Sequence, residues 1–324
     1  MSQMKALPGC LAVLLAVAAS AAAAEGAFAP RPIHYVVASA PGGLADVTAR
    51  VLGPRLSMAL HVPVVIENRT GGGIVAGGEA VAHAAPDGHT LLSATPQIAI
   101  VQSMVSDLSF HPRRDLAPVA LIGMIPNVLM VSPRTPAATL ADLVELARRN
   151  PGKLNYSSTG TGTSVHLTAE LLKYYARVDI LHVPYHGAAA AMTALMAGDV
   201  DMMVDALPPS LAQIRSGKVR ALAITSAHRA PQLPDVPTMI ESGYPELEVN
   251  GWSGVATTAG TPPETVALLS AEIERILALP EVAEAYSRIG MSIHYLDAAR
   301  FSAFIDAEVG RFALAVKVSG ASKN

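Results

Sequence analysis

The sequence predicts an α/β protein of two domains, the first of them discontinuous. Three observations predict it. Short apolar runs alternate with helical patterns from about residue 33 onward, the signature of a parallel sheet covered by helices. The alternation begins afresh near residue 127. After about residue 250 it gives way to amphipathic helices, which in the simplest arrangement pack back on the first unit. The resulting division is 25–125 plus 250–324 for one domain and 126–249 for the other, with two crossings between them. The 324 residues suffice for this.

The first 24 residues read as a secretory signal. "MSQMKALPGCLAVLLAVAASAAAAEG" carries one early cation, Lys5, then the apolar run Leu11–Ala19, then small residues with a cleavage site ending near Ala24. The run is too short for a membrane anchor. Cys10 precedes it, whereas a lipidated cysteine would follow it. Cys10 is the only cysteine, so the mature chain holds no disulfide and relies on its core. An exported protein is expected, and no later run is long and apolar enough to span a bilayer.

In the first unit "IHYVVASA" reads as a buried strand. "ADVTARVLGPRLSMAL" follows with apolar residues at helical spacing, and Pro54 inside it predicts a kink or a shortened helix. "VPVVIEN" is a strand, "AGGEAVAHAAPDG" a helix closed by a turn, and "HTLLSAT" a strand. In the second unit "NVLMVS" is a strand. "TLADLVELARRNPG" is a helix capped by Thr139 and stopped by Pro151-Gly152. "KLNYSS", "DILHVPYHG" and Val200–Val204 are strands, separated by the helices "SVHLTAELLKYYA" and "AAAAMTALMAGDV". "LPPSLAQIRSGKVRALAITSA" adds a helix and a strand. From 263 on, three amphipathic helices follow with almost no strand between them.

Composition narrows the function. About half the residues are apolar, 15% are charged, and the net charge is −3. A nucleic-acid footprint would need a basic excess on one face. No Gly-x-Ser-x-Gly elbow and no His-Glu-x-x-His is present.

Three loops remain as candidates, each after a predicted strand. In "APGGLAD" (40–46), Pro41 fixes the entry, and Gly42-Gly43 let the backbone approach a ligand. Asp46 falls near the helix start. Free N–H groups there favour an anion, although an ordinary turn capped by Asp46 needs the same residues. "STGTGTSVHL" pairs Gly160 and Gly162 with Ser158, Thr163 and Ser164. It lacks the lysine of a P-loop and the third glycine of a dinucleotide fingerprint. It suits either a carboxylate held by neutral donors or a capped turn. In "HVPYHG", Pro184 between His182 and His186 argues against a zinc pair on one helix. Tyr185 and His186 either line a cleft or cover a loop. Asp205 ends a strand, where open α/β sheets place ligands, or else caps the next helix. Arg50 and Arg69 are expected in ion pairs.

Several stretches in order resemble the Bug-type periplasmic solute receptors, the binding-protein component of tripartite tricarboxylate transporters. They are "PGGLADVTAR", "VVIENRTGGG", "APDGHTLL", "RRDLAPVALI", "NPGKLNYSSTGTGTSVHLTAELL", "HVPYHG", "AGDVDMMVD", "GKVRALAITSAHRAPQLPDVPTMIESGYPE" and "GTPPETVALLSAEI". The resemblance implies a periplasmic-binding-protein (Venus-flytrap) fold of two α/β domains joined by two crossing strands. It implies a periplasmic monomer that closes on a small carboxylate-bearing solute and delivers it to membrane transporter subunits. No catalysis, cofactor, metal or nucleic acid is implied. Carried onto this chain, ligand contacts fall on Ser39, Pro41, Gly42, Gly43 and Asp46, with Thr95, on one side. On the other they fall on Ser158, Gly160, Gly162, Thr163 and Ser164, with His166 behind. Tyr185, His186 and Asp205 match further cleft positions.

The chain departs from the family's pattern at four places. Ala38-Ser39 stands where the family has proline and an aromatic residue, Ala45 where it has a small hydroxyl residue, and His186 where lysine is common. Gly71 to Val75 reads "GGGIV" in place of "GAGGN". A roomier or less polar pocket on the first-domain side is expected. His186 beside a carboxylate would make binding weaken as pH rises. The rival readings are an enzyme acting on a small organic acid, with Asp46, His186 and Asp205 as its only candidate groups, and a sensory receptor feeding a signalling partner.

Overall fold

The structure is a computed structural model that describes residues 29–72 and 74–321. The signal-peptide reading and Cys10 lie outside the described residues. The chain opens with β1 (Ile33–Val37), α1 (Leu44–Leu60), β2 (Val64–Asn68), α2 (Val75–Ala82), β3 (Thr90–Ala94), α3 (Gln97–Met104), α4 (Pro112–Asp115) and β4 (Leu116–Ile125). It continues with β5 (Asn127–Val131), α5 (Leu140–Arg149), β6 (Asn155–Ser158), α6 (Ser164–Ala176), β7 (Leu181–Pro184), α7 (Ala188–Ala197), β8 (Met202–Ala206), α8 (Leu207–Arg215) and β9 (Arg220–Ile224). It closes with β10 (Gly251–Thr258), α9 (Pro263–Leu277), α10 (Pro280–Arg288), β11 (Ser292–Leu296) and α11 (Ala298–Ser319).

The strands form a six-stranded sheet, β11-β4-β10-β3-β1-β2, and a five-stranded sheet, β7-β6-β8-β5-β9. The chain passes between them at Pro126 and returns before Gly251. Both sheets are mixed, which corrects the expectation of purely parallel pairing. β2-β1-β3 and β7-β6-β8 are parallel, joined through crossover helices. β10 lies antiparallel between β3 and β4, and β5 antiparallel between β8 and β9.

Two strands in the first sheet run against local sequence signals. β4 contains Pro118 and β10 contains Gly254, both at register shifts of their mutual pairing. A Cβ on Gly254 would stand 2.8 Å from the Ala120 carbonyl oxygen, so the glycine permits the close approach. β11 lies between the C-terminal helices, where almost no strand was expected; it is a half-exposed edge strand. Pro54 does not end α1, which runs on to Leu60. The ring is exposed, and the face formed by Ala49, Leu52, Leu56 and Leu60 is buried against the core. That burial outweighs the one lost ladder bond. The expected cap of α5 is present as a reciprocal capping box between Thr139 and Asp142.

α11 serves both sheets. Near its start Phe301 meets Trp252 of β10 edge-on, and Glu308 accepts the Trp252 indole N–H at 3.0 Å. Burial pushes the Glu308 carboxyl up, against the pull of Arg311, its ion-pair partner. Farther along, Phe312, Ala315 and Val316 join the apolar cluster that also takes Ala99, Ile100 and Met104 of α3 and Leu167 of α6. The last helix is therefore not confined to the first unit, as the sequence suggested. No helix among the described residues is long and apolar enough to cross a membrane.

Candidate functional site

The loops after β1 and β6 each lead into the N-terminus of a helix, α1 and α6. Both sit at the carboxyl ends of parallel strands, where open α/β sheets hold ligands. α1 has no side-chain cap: its N-cap is Gly43. Gly42 takes φ 81°, a left-handed conformation that favours glycine, and its N–H donates to Asp46 Oδ2 at 2.9 Å. The same carboxylate accepts Arg50 Nε at 2.9 Å and Asn68 Nδ2 at 2.8 Å. Asn68 also donates to the Ser39 carbonyl at 3.0 Å. The Arg50 guanidinium, helped by Gly42 and Asn68 and opposed by burial, holds the Asp46 carboxyl down at about 2. Asp46 is buried and committed to shaping the 39–46 loop, so its role is positional. Arg50 and Arg69 make the expected ion pairs, with Asp46 and Glu67.

Beside this loop lies a cavity of about 120 Å³ whose lining includes Ser39, Ala45, Ser93, Thr95 and Gln97. Ala38 and Ile74 complete its lining. The Oγ atom of Ser39 is buried without a hydrogen-bond partner among the described residues, and the buried Ser93 hydroxyl meets that of Tyr35. Ser93 and Gln97 were not singled out from the sequence. A hydroxyl inside the apolar run "HTLLSAT" was the available signal.

The second loop is internally bonded. Ser158 Oγ lies 2.7 Å from His182 Nε2 and accepts the Gly160 N–H at 3.2 Å. Thr163 caps α6: its Oγ1 accepts the His166 N–H at 3.4 Å and donates to the Gly160 carbonyl at 2.8 Å. The Gly162 N–H donates to His166 Nδ1 at 3.3 Å. Ser158 and Thr163 therefore build the cradle, while the Ser164 and Val165 N–H groups precede the first intrahelical bond. Tyr185 and Gly187 tie the next loop to this one through the carbonyls of Ser158 and Thr159, at 3.1 and 3.3 Å.

Behind the loop the rings of Tyr156, His182 and His166 stack, with centroid separations of 4.8 Å and 4.1 Å between neighbours. Burial, then the neighbouring His182 and Lys173, press His166 down to about 3. It is neutral at ordinary pH, with Nδ1 free to accept from Gly162. His182 is likewise pushed down, first by burial. Asp205 is buried at the end of β8 and accepts the Ala206 N–H at 2.9 Å; it does not cap α8. Burial raises its carboxyl to about 6. Tyr185 is half-buried and His186 exposed.

The two loops are linked through α3. This helix begins at the cavity with Gln97 and ends at Met104, whose side chain fills the space beside Gly162. The structure thus brings Ser39, Ala45, Ser93 and Thr95 together on one side. Ser158, Gly160, Gly162, Thr163 and Tyr185 gather on the other.

The chain matches the family described as "Tripartite tricarboxylate transporter family receptor" over residues 48–320. Protein BugT of Bordetella pertussis is 35% identical over 321 residues, covering 98% of each chain. A Rhodopseudomonas palustris structure solved with adipate is similar at a TM-score of 0.75 and 32% identity, covering 90% of this chain and 97% of that one. MatC from the same organism, solved with bound malate, is similar at a TM-score of 0.72 and 31% identity, covering 88% and 99%. The chain belongs to the tripartite tricarboxylate transporter receptor family, whose members are solute-binding receptors and not enzymes.

Proposed function

We propose that this chain is an extracytoplasmic receptor that binds a small carboxylate-bearing solute between the 39–46 and 158–164 loops and delivers it to a tripartite tricarboxylate-type membrane transporter. In this reading the two sheets mark two domains, 25–125 plus 250–324 and 126–249, that close on the solute. The observation that carries it is the pair of helix N-termini. In both loops the side chains that would compete for backbone N–H groups are used to shape the turn. Thr163 takes the His166 N–H, and the earlier N–H groups, Leu44 and Ala45 of α1 and Ser164 and Val165 of α6, stay available to an anion.

The similar structures solved with adipate and malate support a small organic acid as the ligand class. Asp46 argues against the rival enzyme, because a carboxylate held ionised by Arg50 and Asn68 is a poor general base. Charge-assisted bonds to a carboxylate contribute about 1.5–3 kcal/mol each. A few suffice for micromolar affinity, about −8 kcal/mol, after ordering costs.

Calorimetric titration of the purified mature chain with mono- and dicarboxylates, malate and adipate among them, tests the proposal. NMR of the recovered solute accompanies it. Saturable binding with the solute unchanged is expected; turnover, or no binding across the panel, overturns the reading.

A further inference from the structure

Ala45 joins the anion seat to the cavity beside it. Its N–H is among those that open α1, and the residue lines the cavity of about 120 Å³ next to the 39–46 loop. Ala38 and Ile74 stand in the same lining. Ile74 belongs to the apolar cluster built on Val36, Leu92 and Ile98, and Ala38 packs against that cluster. The cavity is thus a pit in the wall of an apolar core. Behind Ala38 the wall has no room to retreat: a Cβ on Gly77 of α2 would stand 2.7 Å from the Ala38 Cβ.

Most of the surface that the cavity offers is carbon. The hydroxyls of its two serines do not reach it. Ser39 Oγ and Ser93 Oγ have almost no accessible surface, and Ser93 meets the Tyr35 hydroxyl. Thr95 and Gln97 carry the other polar side chains of the lining and are half-buried, so water can reach them. A firmly held water needs about two to four polar partners, and an apolar cavity of about 150 Å³ stays dry and takes a small hydrocarbon instead. At roughly 30 Å³ for each water-sized group, the room here suits about two to four carbons.

Resting on the receptor reading above, we propose that this cavity is an apolar subsite of the receptor, and that the solute is a carboxylate carrying a compact alkyl substituent on a carbon close to the bound carboxyl group. Ala45 fixes that placement, because one residue supplies both a seat N–H and part of the cavity wall. The substituent gains by leaving water, and any water it displaces was poorly held. The subsite brings no charge to the seat, so the carboxyl group keeps the Leu44 and Ala45 N–H groups to itself.

Calorimetric titrations of the mature chain test this, using succinate and adipate with their 2-methyl, 2-ethyl, 2-propyl and 2-hexyl derivatives as resolved enantiomers. One enantiomeric series is expected to tighten about fourfold per carbon, the equivalent of about 0.8 kcal/mol per buried CH₂, up to ethyl or propyl and to weaken again at hexyl. Ala45→Val, which fills the cavity, should reduce the gain of the best derivative over its parent at least fivefold. Should that variant fail to fold or to bind, Ile74→Ala decides: the enlarged cavity should move the optimum to a longer substituent. Parents that bind while no substituent tightens them overturn the subsite and leave the receptor reading intact. A gain that survives Ala45→Val, or an optimum unmoved in Ile74→Ala, also overturns it. Binding by no member of either series overturns the receptor reading itself, and the subsite with it.

Discussion

Met104 fills the space that a side chain on Gly162 would need. A Cβ built on that glycine stands 2.4 Å from Met104 Cε, and Gly162 holds φ at 77°. The end of α3 and the turn before α6 are thus fitted to each other. Gly162→Ala is expected to cost roughly 1–3 kcal/mol through backbone strain. Met104→Ala should not rescue it, because removing the flexible side chain leaves φ unchanged. Urea unfolding of the single and double variants checks this; full rescue would place the cost in the contact and not in the backbone.

Asp46 should matter to stability through the loop it holds. Its folded pKa is depressed, so its contribution is complete above about 4 and is lost as pH falls toward about 2. Asp46→Asn is expected to lose roughly 1–3 kcal/mol at pH 7 and to flatten the acid limb over that window. An acid limb identical to wild type would remove Asp46 from this role.

Asp205 carries the opposite sign. Its folded pKa is raised by burial to about 6, so the neutral form suits the fold and the cost appears as pH rises from about 4 through about 6. Asp205→Asn should match wild type near pH 4 and be more stable at pH 8, by on the order of 1–2 kcal/mol. Equal thermal melting of the two proteins at pH 8 would contradict the burial argument.

His166 is neutral in the fold and titrates near 6.5 when unfolded, so its contribution is present above about 6.5 and is lost as pH falls toward about 3. His166→Asn keeps an acceptor for the Gly162 N–H but cannot titrate. It should flatten the stability slope between about pH 6 and 4 by up to about 1.4 kcal/mol per pH unit. An unchanged slope would mean that His166 is protonated inside the fold.

Much of the fold was legible because strand–helix alternation survives in short apolar runs such as "IHYVVASA" and in caps such as Thr139. β10 and β4 were not, because Gly254 and Pro118 look like breaks until their bulged antiparallel pairing is seen. β11 was hidden because an edge strand needs little apolar surface. At the site, loop positions were readable from glycine and hydroxyl content, but the direction of each hydroxyl was not. The bonds of Ser158 to His182 and of Thr163 to the Gly160 carbonyl were not readable, because a partner more than twenty residues away, or a carbonyl turned inward, leaves no local trace. Ser93 was missed for the same reason: its meaning comes from its neighbours across the sheet and not along the chain.

The most direct measurement is a crystal structure of the chain with the tightest-binding carboxylate from the titration panel. The account predicts the carboxylate between the 39–46 and 158–164 loops, within hydrogen-bond distance of N–H groups that open α1 or α6. A carboxylate bound elsewhere, or one in the cleft held only by side chains, would contradict it.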